Sequence, residues 1–153
     1  MKYTGEEKKS TQSLKIEFDG NPELLKVVRV CISEICLNNG FMSSEIYDIN
    51  LSVNEVCANI MEHVYHWNPG SKITVKIEAT PQCITIRVRD YGDAKNPEQF
   101  QSRDLNKMEG SGLGIFLVHK LMDEVGYNKE IEIGNEIIMK KYHAREMEER
   151  DEV

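Results

Sequence analysis

Apolar and polar residues alternate over Leu14, Ile16 and Phe18, a period of two that predicts a strand over residues 13–18. Asn21-Pro22 then reads as a helix start, with Asn as the cap and Pro at the first helical position. Leu24, Val27, Val28, Cys31 and Ile35 recur at intervals of three or four, and Asn38-Asn39-Gly40 closes that helix with a glycine stop. A second helix is predicted from Ser43-Ser44-Glu45 to about His66. Its apolar stripe is Ile49, Val53, Val56, Ile60 and Val64. Ser52, Glu55, Asn59, Glu62 and His66 share the opposite side, within an arc of roughly 80°.

Two alternating segments follow, Lys72-Ile73-Thr74-Val75-Lys76-Ile77-Glu78-Ala79 and Cys83-Ile84-Thr85-Ile86-Arg87-Val88-Arg89-Asp90. Thr80-Pro81-Gln82 joins them, which predicts an antiparallel hairpin. From Tyr91 to Gly110 the chain is polar and aperiodic, the mark of a functional loop or lid in a compact domain. Gly110-Ser111-Gly112-Leu113-Gly114 leads into a helix bearing Ile115, Leu117, Val118, Leu121 and Met122. The last strands are predicted over 127–133 and 136–142, turning at Gly134-Asn135. The order β-α-α-β-β-loop-α-β-β makes the chain an α+β two-layer sandwich, with a mixed, mostly antiparallel sheet and its helices on one face.

The chain's 153 residues suit one domain over 13–143, flanked by an N-terminal tail (1–12) and a charged C-terminal tail (144–153). Nineteen Lys and Arg against 26 Asp and Glu leave a net charge of −7, which argues against a general nucleic-acid binder. Five acids and two bases between His143 and Val153 put −3 of that charge in the tail, read as a solvated or frayed helix. No window is long and apolar enough to span a membrane, and the start lacks the apolar run of a secretory signal. Cys31, Cys36, Cys57 and Cys83 form no CxxC pair, so a reduced, cytoplasmic protein is expected.

Three features carry possible chemistry. Glu55 and Asn59 are four apart on a helix, so their side chains meet on one face. The carboxylate suits a general base and the Asn oxygen suits Mg²⁺, although a solvated face opposite an apolar stripe has the same spacing. Asp90, closing a strand before Tyr91-Gly92, either starts a turn or reads an exocyclic amine such as that of adenine. Gly110, Gly112 and Gly114, directly before a helix, let backbone N–H groups approach a phosphate at the positive end of the helix dipole. Other motifs fail. There is no GxxxxGK[ST], the glycines read GxGxG rather than GxGxxG, and Asp90-Tyr91-Gly92 has neither the order nor the companions of a kinase DFG segment. Glu62, His63 and His66 lack a further ligand for a transition metal.

In this order, the three features resemble the ATP-binding domain shared by gyrase, heat-shock-90 chaperones, histidine kinases and mismatch-repair ATPases, a Bergerat-type fold. The stretch Glu55-Val56-Cys57-Ala58-Asn59-Ile60-Met61-Glu62-His63-Val64-Tyr65 is similar to the E-x-x-x-N-x-x-x-H-x-Y version of bacterial anti-sigma-factor serine kinases. Gly112-Leu113-Gly114-Ile115-Phe116-Leu117-Val118, followed by Leu121-Met122-Asp123-Glu124-Val125, is similar to the same subfamily. The resemblance implies that Glu55 is the general base and that Asn59 holds Mg²⁺ against the phosphates of ATP. It implies that Asp90 accepts from the adenine amino group, with Gly92 leaving room for the base. Gly110, Ser111, Gly112, Leu113 and Gly114 would cradle the phosphates, and residues 93–109 would form the lid. It further implies an anti-anti-sigma (STAS-like) protein as substrate, a sigma factor as second ligand, and a homodimer. A nucleotide-dependent regulatory module without kinase activity is the alternative. The chain has no room for a phosphoaccepting helical domain, so a complete two-component sensor is not expected.

Overall fold

The computed structural model describes residues 11–92 and 112–144. Strand β1 (Gln12–Asp19) leads through a 3₁₀ turn (Pro22–Leu24) into α1 (Leu25–Asn38), and α2 covers Ser43–Asn59. The hairpin β2 (Lys72–Ala79) and β3 (Cys83–Asp90) follows, then α3 (Gly112–Leu121), β4 (Glu124–Tyr127) and β5 (Asn135–Tyr142). Asn21 caps the 3₁₀ turn, its side chain accepting from Glu23 N–H at 3.0 Å, as the Asn-Pro signal predicts.

The strands form one sheet in the order β1-β2-β3-β5-β4. Every pairing among them is antiparallel, so the parallel component expected of a mixed sheet is absent among the described strands. On one face Ile73, Val75, Ile77 and Ala79 of β2 and Ile84, Ile86 and Val88 of β3 are fully buried. Val28, Ile32 and Cys36 of α1, and Ile49, Val53 and Val56 of α2, fill the same core. The other face is polar, with Lys76 on Glu78 and Arg87 on Glu136. Burial pushes the thiols of Cys36 and Cys57 up to about 12, so both behave as protonated small hydrophobes. Among the described residues no helix is long and apolar enough to cross a membrane.

Four details differ from the sequence pattern. The strand expected over 127–133 lies earlier, at Glu124–Tyr127, where Val125 pairs with Met139 and Tyr127 with Ile137. A four-residue strand has too few repeats to show a period. The apparent alternation through Ile131 and Ile133 falls in the β4–β5 connection, with Ile133 exposed. On α1 the buried stripe is Leu25, Val28, Ile32 and Cys36, while Leu24 and Val27 are exposed. On α2 Ser52 is fully buried rather than on the polar face, its hydroxyl donating to the Asp48 carbonyl at 2.8 Å. Finally, α2 stops at Asn59 and continues as a π-helical turn, Ile60–Val64, closed by Tyr65 N–H on the Ile60 carbonyl at 3.0 Å. His66 and Trp67 then take left-handed φ values of 49° and 59°, which ends the helical path.

Candidate nucleotide site

Glu55 and Asn59 lie one turn apart on α2 and are half-buried. The start of α3 sits directly on them. A Cβ added to Gly114 would stand 2.7 Å from Glu55 Oε2 and 3.4 Å from Asn59 Nδ2, so the glycine permits the close approach. Asn59 also lines an apolar pocket with Val56, Ile60, Val64, Val88 and Ile115, closed by Asp90, Tyr127, Asn135 and Ile137. Gly110, Ser111 and residues 93–109, where a lid is expected, lie outside the described residues. Gly112 and Leu113 form the first turn of α3.

Asp90 is 2 % exposed at the pocket wall. Its Oδ1 accepts from Gly92 N–H at 3.1 Å. A Cβ on Gly92 would collide with Val64 Cγ1, so only glycine lets this loop rest on the π turn. Tyr65 clamps the same loop, donating to the Lys72 carbonyl and accepting from Tyr91 N–H at 2.7 Å. Burial pushes its hydroxyl above the ordinary range, which keeps the phenol neutral.

Asn135, which the sequence reading placed only in a turn, is the residue it missed. The β3–β5 register sets Asn135 opposite Asp90. Its amide helps hold the Asp90 carboxylate, yet Nδ2 is buried without a well-formed hydrogen bond to the protein. An acceptor and a spare donor therefore stand side by side in one apolar pocket. No spacing rule connects residues 45 positions apart; only the strand pairing does.

Burial raises the Asp90 carboxyl above its ordinary 3.8, against the opposing pull of the Gly92 and Asn135 donors. The folded chain therefore holds this proton to higher pH than the unfolded chain does. The stabilisation from that proton is present in acid and is lost as pH rises through the raised value. Asp90→Asn is expected to raise the melting temperature without nucleotide at pH 7, by roughly 2–4 °C per kcal/mol recovered. The gain should shrink toward pH 3.5, where Asp90 itself is protonated. Paired melts of wild type and variant from pH 3.5 to 7.5 measure it, and a gain that grows in acid contradicts the assignment.

The helix amide Asn59 and the strand-end acid Asp90 line the pocket, and the helix carboxylate Glu55 meets Gly114 of the next helix beside Asn59. The family described as "Histidine kinase-like ATPase domain" matches residues 18–141 of the chain. The chain belongs to the histidine kinase-like ATPase domain family. This ATPase domain is also similar to the serine-protein kinase RsbW of Bacillus subtilis (strain 168), 24% identical over 152 residues and covering 94% of each chain. The serine-protein kinase RsbW of Oceanobacillus iheyensis is 26% identical over 147 residues, 91% of this chain and 92% of its own. That of Bacillus velezensis is 26% identical over 124 residues, 76% of this chain and 78% of its own. The family implies that the histidine kinase-like ATPase domain binds a nucleotide.

Proposed function

We propose that the protein is an ATP-dependent serine-protein kinase that phosphorylates an anti-anti-sigma (STAS-like) partner and, as a homodimer, sequesters a sigma factor. The observation that carries this reading is the packing of Gly114 against both Glu55 and Asn59, beside a pocket walled by Asp90. That packing supports reading Glu55 as the proton acceptor and the start of α3 as the phosphate-binding end, next to an apolar pocket suited to adenine.

Asp90 accepts from the exocyclic amine of adenine, and Asn135 Nδ2 donates to the neighbouring ring nitrogen. Val56, Val88, Ile115 and Ile137 cover the faces of the ring. Backbone N–H groups at Gly112, Leu113 and Gly114 point along the positive end of α3 toward the phosphates, with Gly110 and Ser111 extending the cradle. Asn59 would hold Mg²⁺ through its one neutral side-chain oxygen, a hard donor that fits this ion. The ion would supply neutralisation of charge developing on the phosphates during transfer. Glu55 takes the proton of a serine hydroxyl as its oxygen bonds to the γ-phosphorus, and the bond to the leaving ADP breaks.

Incubating the full chain with γ-labelled ATP, Mg²⁺ and STAS-like proteins from the same genome tests this. Label on a partner serine is the expected result. Nucleotide binding with no labelled partner would instead support a regulatory module that binds its partner in a nucleotide-dependent way.

Gly114→Ala separates the site from the fold. Alanine is the better helix former, and its Cβ meets the mobile end of Glu55 rather than backbone. The melting temperature is expected to hold or rise by a degree or two. Transfer should fall by about tenfold or more as the carboxylate is pushed aside. Thermal melts and a phosphorylation time course on one preparation check both halves.

A further inference from the structure

Asp90 and Asn135 are the last pair in the β3–β5 register. The last rung of a ladder has neighbours on one side only, so its spacing depends on contacts beyond the strands. Arg89 makes such contacts from behind. Next to Asp90 in β3, it points to the opposite, polar face of the sheet. Its Nη2 donates to the Ile133 carbonyl at 3.2 Å. Its guanidinium carbon lies 4.7 Å from the centre of the Tyr91 ring. A single side chain therefore spans from the residue that follows Asp90 to the segment that leads into Asn135.

The Tyr91 ring is itself fixed. Its hydroxyl is 2.9 Å from Thr74 Oγ1, and Lys72 Nζ lies 5.0 Å from the ring centre. Thr74, which faces Arg89 in the β2–β3 register, is buried although it belongs to the polar face. From the helical side, Tyr65 accepts the Tyr91 N–H. Tyr91 is thus held at its backbone by a phenol and at its ring by two cations. The backbones that Arg89 spans approach closely, since a Cβ on Gly134 would collide with the Asp90 carbonyl. A guanidinium suits this place because its flat face can lie on a ring while an N–H at its rim reaches a carbonyl. A lysine ammonium lacks that fork and cannot hold both in the same geometry.

Resting on the adenine reading proposed above, we infer that Arg89 is a positioning residue for the base site, holding Asp90 and Asn135 at the spacing their contacts with adenine require. Its place on the far face of the sheet keeps it out of contact with the base. Hydrogen bonds from N–H groups hold over about 2.7–3.2 Å, so slack of about half an ångström between the two strand ends weakens one contact or both. The brace acts on the reading of the base. The phosphates, met by α2 and α3 in the same reading, do not depend on it.

Calorimetric titration of the full chain with ADP and with inosine diphosphate tests this, with melting temperature as the check on folding. Inosine carries an oxygen in place of the 6-amino group and a proton on the neighbouring ring nitrogen, so neither Asp90 nor Asn135 finds its partner. Wild type should prefer ADP. Arg89→Gln and Arg89→Lys should each raise the Kd for ADP by about three- to tenfold, the worth of one hydrogen bond. The Kd for inosine diphosphate should stay nearly unchanged, so the preference shrinks by the same factor. Tyr91→Leu should act in the same way. Combined with Arg89→Gln it should cost less than the two effects multiplied, since ring and guanidinium form one brace. A general loosening of the fold would instead weaken both nucleotides alike. A wild type with no preference for ADP would remove the adenine reading and this role together. A wild-type preference that survives in either Arg89 variant, or a loss shared equally by the two nucleotides, would leave the adenine reading standing and overturn Arg89 as its brace.

Discussion

Replacing Gly134 with alanine is expected to destabilise the fold by about 2–5 kcal/mol and to abolish nucleotide binding. Gly134 has a φ of +78°, and an added Cβ would collide with the backbone carbonyl of Asp90. The left-handed conformation costs a side-chain-bearing residue about 1–2 kcal/mol. The collision adds about 1–3 kcal/mol, because neither partner is a movable side-chain tip. A domain of this size has only about 5–15 kcal/mol in hand, so the loss is a large share. The strain falls where β5 meets the end of β3, and Asp90 and Asn135 are the pair at that junction. Urea unfolding should show a lower midpoint with an unchanged slope. The rise in melting temperature that ADP gives the wild type should vanish. A variant as stable as wild type would show that the β3–β5 junction yields more easily than its geometry indicates.

Glu55→Gln should lower the rate of phosphoryl transfer by about 10²–10⁴ while leaving nucleotide affinity within a factor of a few. That range, about 10²–10⁴, is the usual worth of a positioned general base. The amide keeps the shape of the carboxylate beside Gly114 but cannot take a proton from serine. Asp90 and Asn135 line the pocket and Glu55 does not, so the proposed adenine contacts are left intact by the substitution. Single-turnover labelling of the partner, beside an ADP-dependent thermal shift, separates the two effects. Wild-type transfer rates in this variant would remove Glu55 from the chemistry.

Much of the site could be read before the fold was known, because its parts are local. Glu55 and Asn59 need only a helix to meet, Asp90 needs only a strand end, and Gly114 needs only a helix start. The fold then brought these three pieces together. Asn135 could not be read in the same way, since its meaning lies in a register between strands far apart in sequence. The π turn was equally hidden. Val56, Ile60 and Val64 keep helical spacing through it, and a hydrogen bond that spans one more residue leaves no trace in side-chain type. On α1 the ambiguity came from abundance. With apolar residues at Leu24, Leu25, Val27, Val28, Val30, Cys31 and Ile32, several neighbouring stripes fit, and packing selected the one through Leu25, Val28 and Ile32.

The π turn divides the site mechanically. Glu55 and Asn59 ride on regular helix, whereas Val64 and Tyr65, which carry the loop at Tyr91 and Gly92, stand at or just past the end of the widened turn. A π turn is a natural joint in a helix. A displacement of the loop at Tyr91 and Gly92 would therefore load the stretch between Ile60 and Tyr65 first, on the far side of the widened turn from the carboxylate and the amide.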